Sequence, residues 1–433
     1  MDNPQHITLI FNYKKNNSYA LNVVLGALGT ALREDLASIR LATSRDQIIK
    51  DISEAHSRNE VVVVAWSFYS PAFVECVKEL ADIRASLGEE RVLHIAGGVH
   101  ATAEPEQTLR SGFDLVAIGE GEKTIIDLVS RLTTNDDILT TKGIAYIDSN
   151  GKYISNGTGD RIDLNDFPPF ATRQRRFNPI EITRGCLYAC KFCQTPFMFK
   201  AKFRHRTVEN ICHYVRVMVE HNLTDVRFIT PTSLSYGSPD ESVHIDQIEE
   251  LLSSIRGVLG NKGRIFFGTF PSEVRPEHVS REVLMVLRRY VANNNLIIGG
   301  QSGSDRILRT SGRGHTVEDI VTAVRLAVEN GFLPNVDFIF GLPGETKTDV
   351  RASLDLARKL CDMGARIHGH TFMPLPGTPF KNAPPGRIDR RAMRELEALV
   401  SRGKLYGNWT QQVDVAKELA EIRTPPKNSR ITW

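Results

Sequence analysis

Three of the six cysteines in this 433-residue chain, Cys186, Cys190 and Cys193, fall within one eight-residue stretch. It reads Glu181-Ile-Thr-Arg-Gly-Cys186-Leu-Tyr-Ala-Cys190-Lys-Phe-Cys193-Gln-Thr-Pro. Thiolates spaced C-x3-C-x2-C on one short loop can reach three corners of a cubane [4Fe–4S] cluster and leave the fourth iron open to a ligand from elsewhere. Structural zinc would want a fourth Cys or His at a matching distance, and no second pair of the C-x2-C or H-x3-H kind occurs. Cys212 lies well downstream in an expected helix and makes a poor fourth ligand. Three thiols that bind zinc, or nothing, are the bland alternative. Cys76, Cys212 and Cys361 sit in part-apolar helical stretches and read as buried structural thiols. A tight cluster, rather than dispersed cysteines in a short chain, points to metal and a reducing compartment, not to a disulfide scaffold.

A loop of this kind needs elements to hold it. Upstream, strand signals alternate with helical ones: His6 to Phe11, Val61 to Phe68, Val92 to Ala96 and Leu115 to Ile118 as strands, with helices over Tyr19 to Leu32, from Pro71, and over Lys123 to Leu132. That alternation predicts an α/β fold with a doubly wound parallel sheet, and glycines gather where its strands end, the edge where such sheets bind ligands. Gly143 to Ile154 reads as a hairpin turning at Ser149-Asn150-Gly151, and proline-bearing, acidic Asp163 to Phe170 as a linker. A second series follows, with strands expected at Ile180–Thr183, Val226–Thr230, Arg264–Thr269, Leu296–Gly300, Val336–Phe340 and Ile367–Phe372. Six βα units predict a partial (β/α)6 barrel rather than a closed eight-unit one. The expected division is 1–140, a Rossmann-like domain; 141–172, hairpin and linker; 173–380, the partial barrel; and 381–433, a small helical region, with a basic tail, that shapes substrate access.

C-x3-C-x-aromatic-C after a strand, with Phe192 as the aromatic, resembles the signature of radical S-adenosylmethionine enzymes. That resemblance implies that the amino acid part of S-adenosylmethionine chelates the open iron and that reductive C–S cleavage releases a 5′-deoxyadenosyl radical. Further segments resemble the family in the expected order at barrel strand ends: Ser272-Glu273-Val274-Arg275-Pro276, Gly299-Gly300-Gln301-Ser302-Gly303-Ser304, Arg313-Gly314-His315-Thr316, Gly341-Leu342-Pro343-Gly344-Glu345-Thr346 and Pro374 to Pro379. Gln301 stands where Glu is common. Taken singly, each of these is plain turn chemistry. The resemblance assigns Ser272, Glu273, Gln301, Ser302 and Arg313 to S-adenosylmethionine.

The first domain resembles the cobalamin-binding domain that precedes many radical domains. The residues that carry this are Ser67, Gly97-Gly98-Val99-His100 and Gly119-Glu120-Gly121. Glycines let backbone approach a large ring closely, and small polar residues such as Ser67 can bond its tail. The D-x-H-x-x-G motif that ligates cobalt from below is absent, so the expected form is base-off with no histidine ligand. Gly119 to Thr124 is not a phosphate loop, because Glu122 precedes the Lys where Gly is required. The combined pattern resembles class B radical methyltransferases and implies C-methylation of an unactivated carbon. It also looks like an archaeal branch that includes the glutamine C-methyltransferase modifying methyl-coenzyme M reductase, hence a protein or peptide substrate. Cobalamin-dependent cyclisation or ring rearrangement of a small molecule, and a cobalamin or Fe–S sensor without turnover, are the alternatives. A methylthiotransferase would need three further clustered cysteines upstream, where only Cys76 stands.

Composition bounds the rest. Hydrophobic residues make up 41% and charged residues 24%, ordinary for a globular protein. A net charge of +3 from 54 basic and 51 acidic side chains gives no drive toward nucleic acid. The apolar run around Leu21 to Leu28 is too short for a membrane span and lacks a secretory cleavage pattern. The expected location is the cytoplasm of an anaerobe, with a low-potential donor such as ferredoxin or flavodoxin.

Overall fold

The computed structural model describes residues 6–32, 35–88, 91–200 and 202–423. The basic tail lies outside them. The chain divides into two compact units between Asn178 and Pro179.

Unit 1 is built on strands β1 (Ile7–Asn12), β2 (Ala37–Ala42), β3 (Val61–Ser67), β4 (Leu93–Gly97) and β5 (Leu115–Ala117), all parallel, in the order β2-β1-β3-β4-β5. β1 is buried at every residue, as a central strand covered on both faces must be. Helices α1 (Ser18–Ala31), α2 (Arg45–His56), α3 (Phe73–Leu87), α4 (Val99–Ala103), α5 (Pro105–Arg110) and α6 (Gly121–Thr134) connect the strands. α1 and α6 bury Leu21, Leu25, Leu28, Leu128 and Val129 against Ile7, Leu9, Phe11 and Val63, alternate residues on one sheet face. Each such side chain contributes about 1.5–3 kcal/mol. α2 and α3 pack together elsewhere, α2 lying against β1, β2 and β3.

Two features differ from the sequence reading. β2, an edge strand, is missing from the sequence reading although Ala37, Ile39 and Leu41 alternate with Ser38 and Arg40 and turn onto the core. The Arg40 guanidinium lies 2.9 Å from Asp51 and 2.7 Å from Glu54 of α2. The expected linker is instead a strap packed onto unit 1: Ile162, Leu164 and Phe167 cluster with Ala27, and Phe170 is buried. A Cβ on Gly26 would lie 2.6 Å from the Phe170 carbonyl oxygen, so glycine is what lets the strap close. The hairpin, β6 (Ile144–Ile147) and β7 (Tyr153–Ser155), extends the same sheet antiparallel to β5.

Unit 2 opens with β8 (Ile180–Glu181), β9 (Thr183–Arg184), helix α7 (Thr195–Met198) and β10 (Arg204–His205). Then α8 (Val208–Glu220), β11 (Asp225–Ile229), α9 (Ile245–Leu259), β12 (Arg264–Phe266), α10 (Arg281–Tyr290), β13 (Asn295–Gln301), α11 (Asp305–Thr310), α12 (Val317–Glu329), β14 (Leu333–Phe340), α13 (Lys347–Asp362) and β15 (Arg366–Thr371) alternate. β8, β11 and β12 form one parallel group and β13, β14 and β15 another. A parallel bridge from Val274 to Ile298 joins the end of the first group to the second. The carboxy-terminal region is not wholly helical. Between α14 (Arg390–Ser401) and α15 (Trp409–Arg423), β16 (Leu405–Tyr406) adds a further parallel strand beside β15. No helix among the described residues is long and apolar enough to cross a membrane.

Candidate active site

The cysteine loop is an excursion closed at its base. β9 and β10 pair antiparallel, Arg204 opposite Arg184 and His205 opposite Thr183, and so pin both ends of the segment holding the thiols. Gly185, just before Cys186, has φ +86°, and a Cβ there would sit 1.9 Å from the Lys202 carbonyl oxygen. Only glycine fits that turn. The Cys193 N–H donates to the Cys190 carbonyl at 3.0 Å, and Lys191 N–H to Ser311 O at 2.8 Å, which fastens the loop to the end of α11. Tyr188 is fixed by the Arg275 guanidinium 3.5 Å above its ring and by His278 Nε2, 2.8 Å from its hydroxyl. Phe192 packs beside Ile307, Leu342 and Phe372. Cys190 is buried, while Cys186 and Cys193 are partly accessible. Burial pushes the Cys186 thiol up to about 12 and raises that of Cys193, so loading metal onto these sulfurs must expel protons. The three sulfurs are not among the side-chain atoms that close to within 4.8 Å of one another.

Beside the loop, groups from distant parts of the sequence converge. A Cβ on Gly299 would lie 2.9 Å from Glu273 Oε1, 3.0 Å from Arg313 Nη2 and 3.0 Å from Gln301 Nε2. Arg313, buried, donates to Gly299 O at 2.6 Å and through Nη1 to Cys190 Sγ at 3.5 Å. Gln301 adopts φ +71°, the left-handed region that non-glycine residues avoid, at a bulge in the β13–β14 register. Strain of this kind persists where the surroundings over-determine it, and it clusters at functional sites. Burial pushes the Glu273 carboxyl up to about 7, against the pull of Arg313 and helped by Asp337. The hydroxyls of Ser272 and Ser302 have partners of their own. Ser272 Oγ donates to Phe228 O at 2.7 Å and accepts from Thr230 N–H at 3.1 Å, tying β11 to the segment after β12. Ser302 Oγ lies fully buried, 3.3 Å from Ser353 Oγ.

Glu345, after β14, accepts from the Gly341 N–H at 2.8 Å, yet burial pushes its carboxyl up to about 7 from 4.5. A folded-state value above the unfolded one means that its contribution to stability is complete below about pH 4.5 and disappears as pH rises through about 7. Taken by itself, Glu345 therefore lowers the melting temperature of the metal-free chain as pH rises from about 5 to 7.5, while buried imidazoles such as His100, held below their usual value, act the other way. Glu345→Gln, which keeps the acceptor for Gly341, should shift the slope of melting temperature against pH upward over that range; an unchanged slope would refute the assignment.

In unit 1, Ser67 and Gly97 are register partners at the carboxyl ends of β3 and β4. Gly98 has φ +90° and ψ −172°, a region essentially reserved for glycine. A Cβ on it would meet Phe68 O and Ser67 Oγ at 2.9 Å. Gly98→Ala is expected to cost unit 1 about 1–3 kcal/mol in denaturant unfolding. Val99 begins α4 behind it. Gly119 N–H donates to Thr102 Oγ1 at 3.0 Å, Gly121 begins α6, and Glu120, buried, accepts from Ile162 N–H at 3.3 Å. His100 is 2% exposed and stacks on Phe73 at 4.1 Å. Burial lowers it to about 4, so it is a neutral ring packed in the interior.

Two sets of residues escaped the sequence reading. The reversal of strand order lies between β1 and β3, the crevice where sheets of this type bind ligands. Asn17 Nδ2 bridges it, donating to Asn12 O at 2.8 Å and Ser67 O at 3.1 Å, and Lys14, Phe68 and Tyr69 line the same hollow. With β2 unseen, the switch point could not be located. In unit 2, Asp337 of β14 and His368 and His370 of β15 gather on one face. The legible signal was H-x-H on a strand, which turns both imidazoles to the same side.

Comparison with known proteins agrees with this division. Residues 180–357 match the model of the Radical SAM superfamily, and residues 18–129 that of the B12 binding domain. An uncharacterized protein of Methanopyrus kandleri is 24% identical over 78% of this chain and 73% of its own length. An uncharacterized methyltransferase of Pyrococcus horikoshii is 26% identical over 67% of this chain, which spans 62% of that relative, under two thirds. Among solved structures, the radical S-adenosylmethionine methyltransferase TsrM of Kitasatospora setae, with cobalamin and a [4Fe–4S] cluster bound, matches with a TM-score of 0.67. It does so at 18% identity over 88% of this chain and 74% of that one, a likeness of fold.

Proposed function

We propose that this chain, whose residues 180–357 match the Radical SAM superfamily and whose residues 18–129 match the B12 binding domain, is a cobalamin-dependent radical S-adenosylmethionine methyltransferase acting on an unactivated carbon of a protein or peptide residue. When bound, the cluster and S-adenosylmethionine supply a radical that takes hydrogen from carbon, and cobalamin supplies the methyl group. The residues bind, orient and exclude water. Cys186, Cys190 and Cys193 hold three irons. Arg313 presents N–H groups and a fixed positive charge beside Cys190, suited to a carboxylate. Glu273 and Gln301 offer acceptors and an amide donor for amino and hydroxyl groups of the cofactor. The carboxyl edge of unit 1, from Ser67 through Gly97-Gly98 to Gly119, takes the corrin.

The observation that carries the reading is the meeting of Glu273, Gln301 and Arg313 around Gly299, with Arg313 also on Cys190. A base-off cobalamin without histidine is supported by the imidazoles of unit 1. His94 is buried beside Trp66, whose Nε1 donates to it at 3.2 Å, His100 is stacked inside, and His56 lies 3.2 Å from Arg91 O. His6 precedes β1, away from the carboxyl edge. A low-potential donor such as ferredoxin or flavodoxin completes the electron supply. The test is anaerobic reconstitution with a reductant and candidate peptides, read by mass spectrometry. The expected outcome is 5′-deoxyadenosine together with a peptide heavier by one CH2. 5′-Deoxyadenosine with a product of unchanged carbon count would favour rearrangement and overturn methyl transfer.

A further inference from the structure

Asp337 and His368 are direct cross-strand partners on β14 and β15, and His370 follows two residues on, so all three share one sheet face. His368 Nδ1 lies 2.9 Å from Asp337 Oδ1 and 3.2 Å from His370 Nε2. Donors held about 2.1 Å from one ion lie roughly 3.0–3.4 Å apart, which is this spacing. Among the described residues this is the one group of three His, Cys, Asp or Glu side chains whose ligand atoms come within 4.8 Å of one another.

The cluster is poorly served by hydrogen bonds alone. His368 Nδ1 faces both Asp337 Oδ1 and His370 Nε2, and with or without its proton it can satisfy only one of them, whereas a cation takes all three lone pairs at once. The geometry is held from outside. Tyr406 of β16 stacks on His368 at 4.7 Å and 13°, and Gln412 of α15 touches the far nitrogen of His370, Nδ1, at 3.4 Å. The His368 side chain is 30% exposed and that of Asp337 14%, so an ion can enter.

We propose that Asp337, His368 and His370 form a second metal site, for a divalent transition ion such as zinc or ferrous iron. Two imidazoles and one carboxylate on a face leave coordination positions open, and these take an oxygen donor of a bound molecule. The site shares no ligand with the cysteine loop, although Asp337 also bears on the Glu273 carboxyl; metal binding by a chain without the cluster thiols does not depend on the methyl-transfer reading.

The test uses the full-length chain with Cys186→Ala, Cys190→Ala and Cys193→Ala, treated with chelator and titrated with Zn2+ by calorimetry. One ion per chain is expected. Asp337→Asn, which preserves volume, and His370→Gln should each weaken binding by about 10–100-fold or more. Absence of stoichiometric binding, or equal affinity in those variants, overturns the site. Should the cysteine-free chain not fold, the cluster-loaded chain exposed to Zn2+ and desalted gives the same answer. One zinc beyond the iron is expected, and its absence, or its retention in His370→Gln, refutes the proposal.

Discussion

Cys190→Ala is expected to abolish S-adenosylmethionine cleavage, lowering 5′-deoxyadenosine formation by at least about a thousandfold, with loss of most cluster iron. With one of three thiolates gone, two irons lack protein ligands and the open position is no longer unique. Cys190 is also the buried one of the trio, and its sulfur accepts from Arg313. The fold should survive, because the loop is anchored by the β9–β10 pair and by Lys191 on Ser311, neither of which uses the thiol. Iron content, circular dichroism and product analysis separate the outcomes. Retained cleavage would mean that these cysteines are not the cluster ligands.

Arg313→Met is expected to make the cluster harder to reduce. A buried positive charge beside a ligand sulfur stabilises the reduced, more negative state, and so does an N–H donated to that sulfur. A unit charge about 5 Å away at an effective dielectric near 20 is worth about 3 kcal/mol, a downward shift on the order of 100 mV for one electron. The same change removes the donor to Gly299 O and the cation that holds the Glu273 carboxyl down. Chain stability should therefore drop by about 1–3 kcal/mol. Arg313→Lys keeps the charge and should recover most of the potential but not the paired donors. A redox titration followed by electron paramagnetic resonance reads the shift. An unchanged midpoint in the Met variant would assign Arg313 to packing alone.

Most of the barrel was legible because its strands are short apolar runs that end in glycine, serine or proline turns, and turn chemistry is written in local residues. The cysteine loop was legible for the same reason: its ligands are neighbours in the chain. What sequence could not supply was the company a side chain keeps. Glu273, Gln301 and Arg313 looked no different from Ser272 and Ser302, yet packing brought the first three together and turned the two hydroxyls onto Phe228 O and Ser353. β2 was missed although it alternates, because its apolar face is only Ala37, Ile39 and Leu41 on a short, half-buried edge strand, and with it went the crevice between β1 and β3. β16 escaped because two residues carry no periodicity; their pairing with Ile367 and His368 is purely tertiary.

Three cysteines leave one iron of a four-iron cluster without a protein ligand. Chain loaded anaerobically with 57Fe should contain about four irons. Its Mössbauer spectrum should resolve one iron from the other three when S-adenosylmethionine is added, as a chelate at a single vertex requires. Zinc in place of iron, or a spectrum that the added cofactor leaves unchanged, would contradict it.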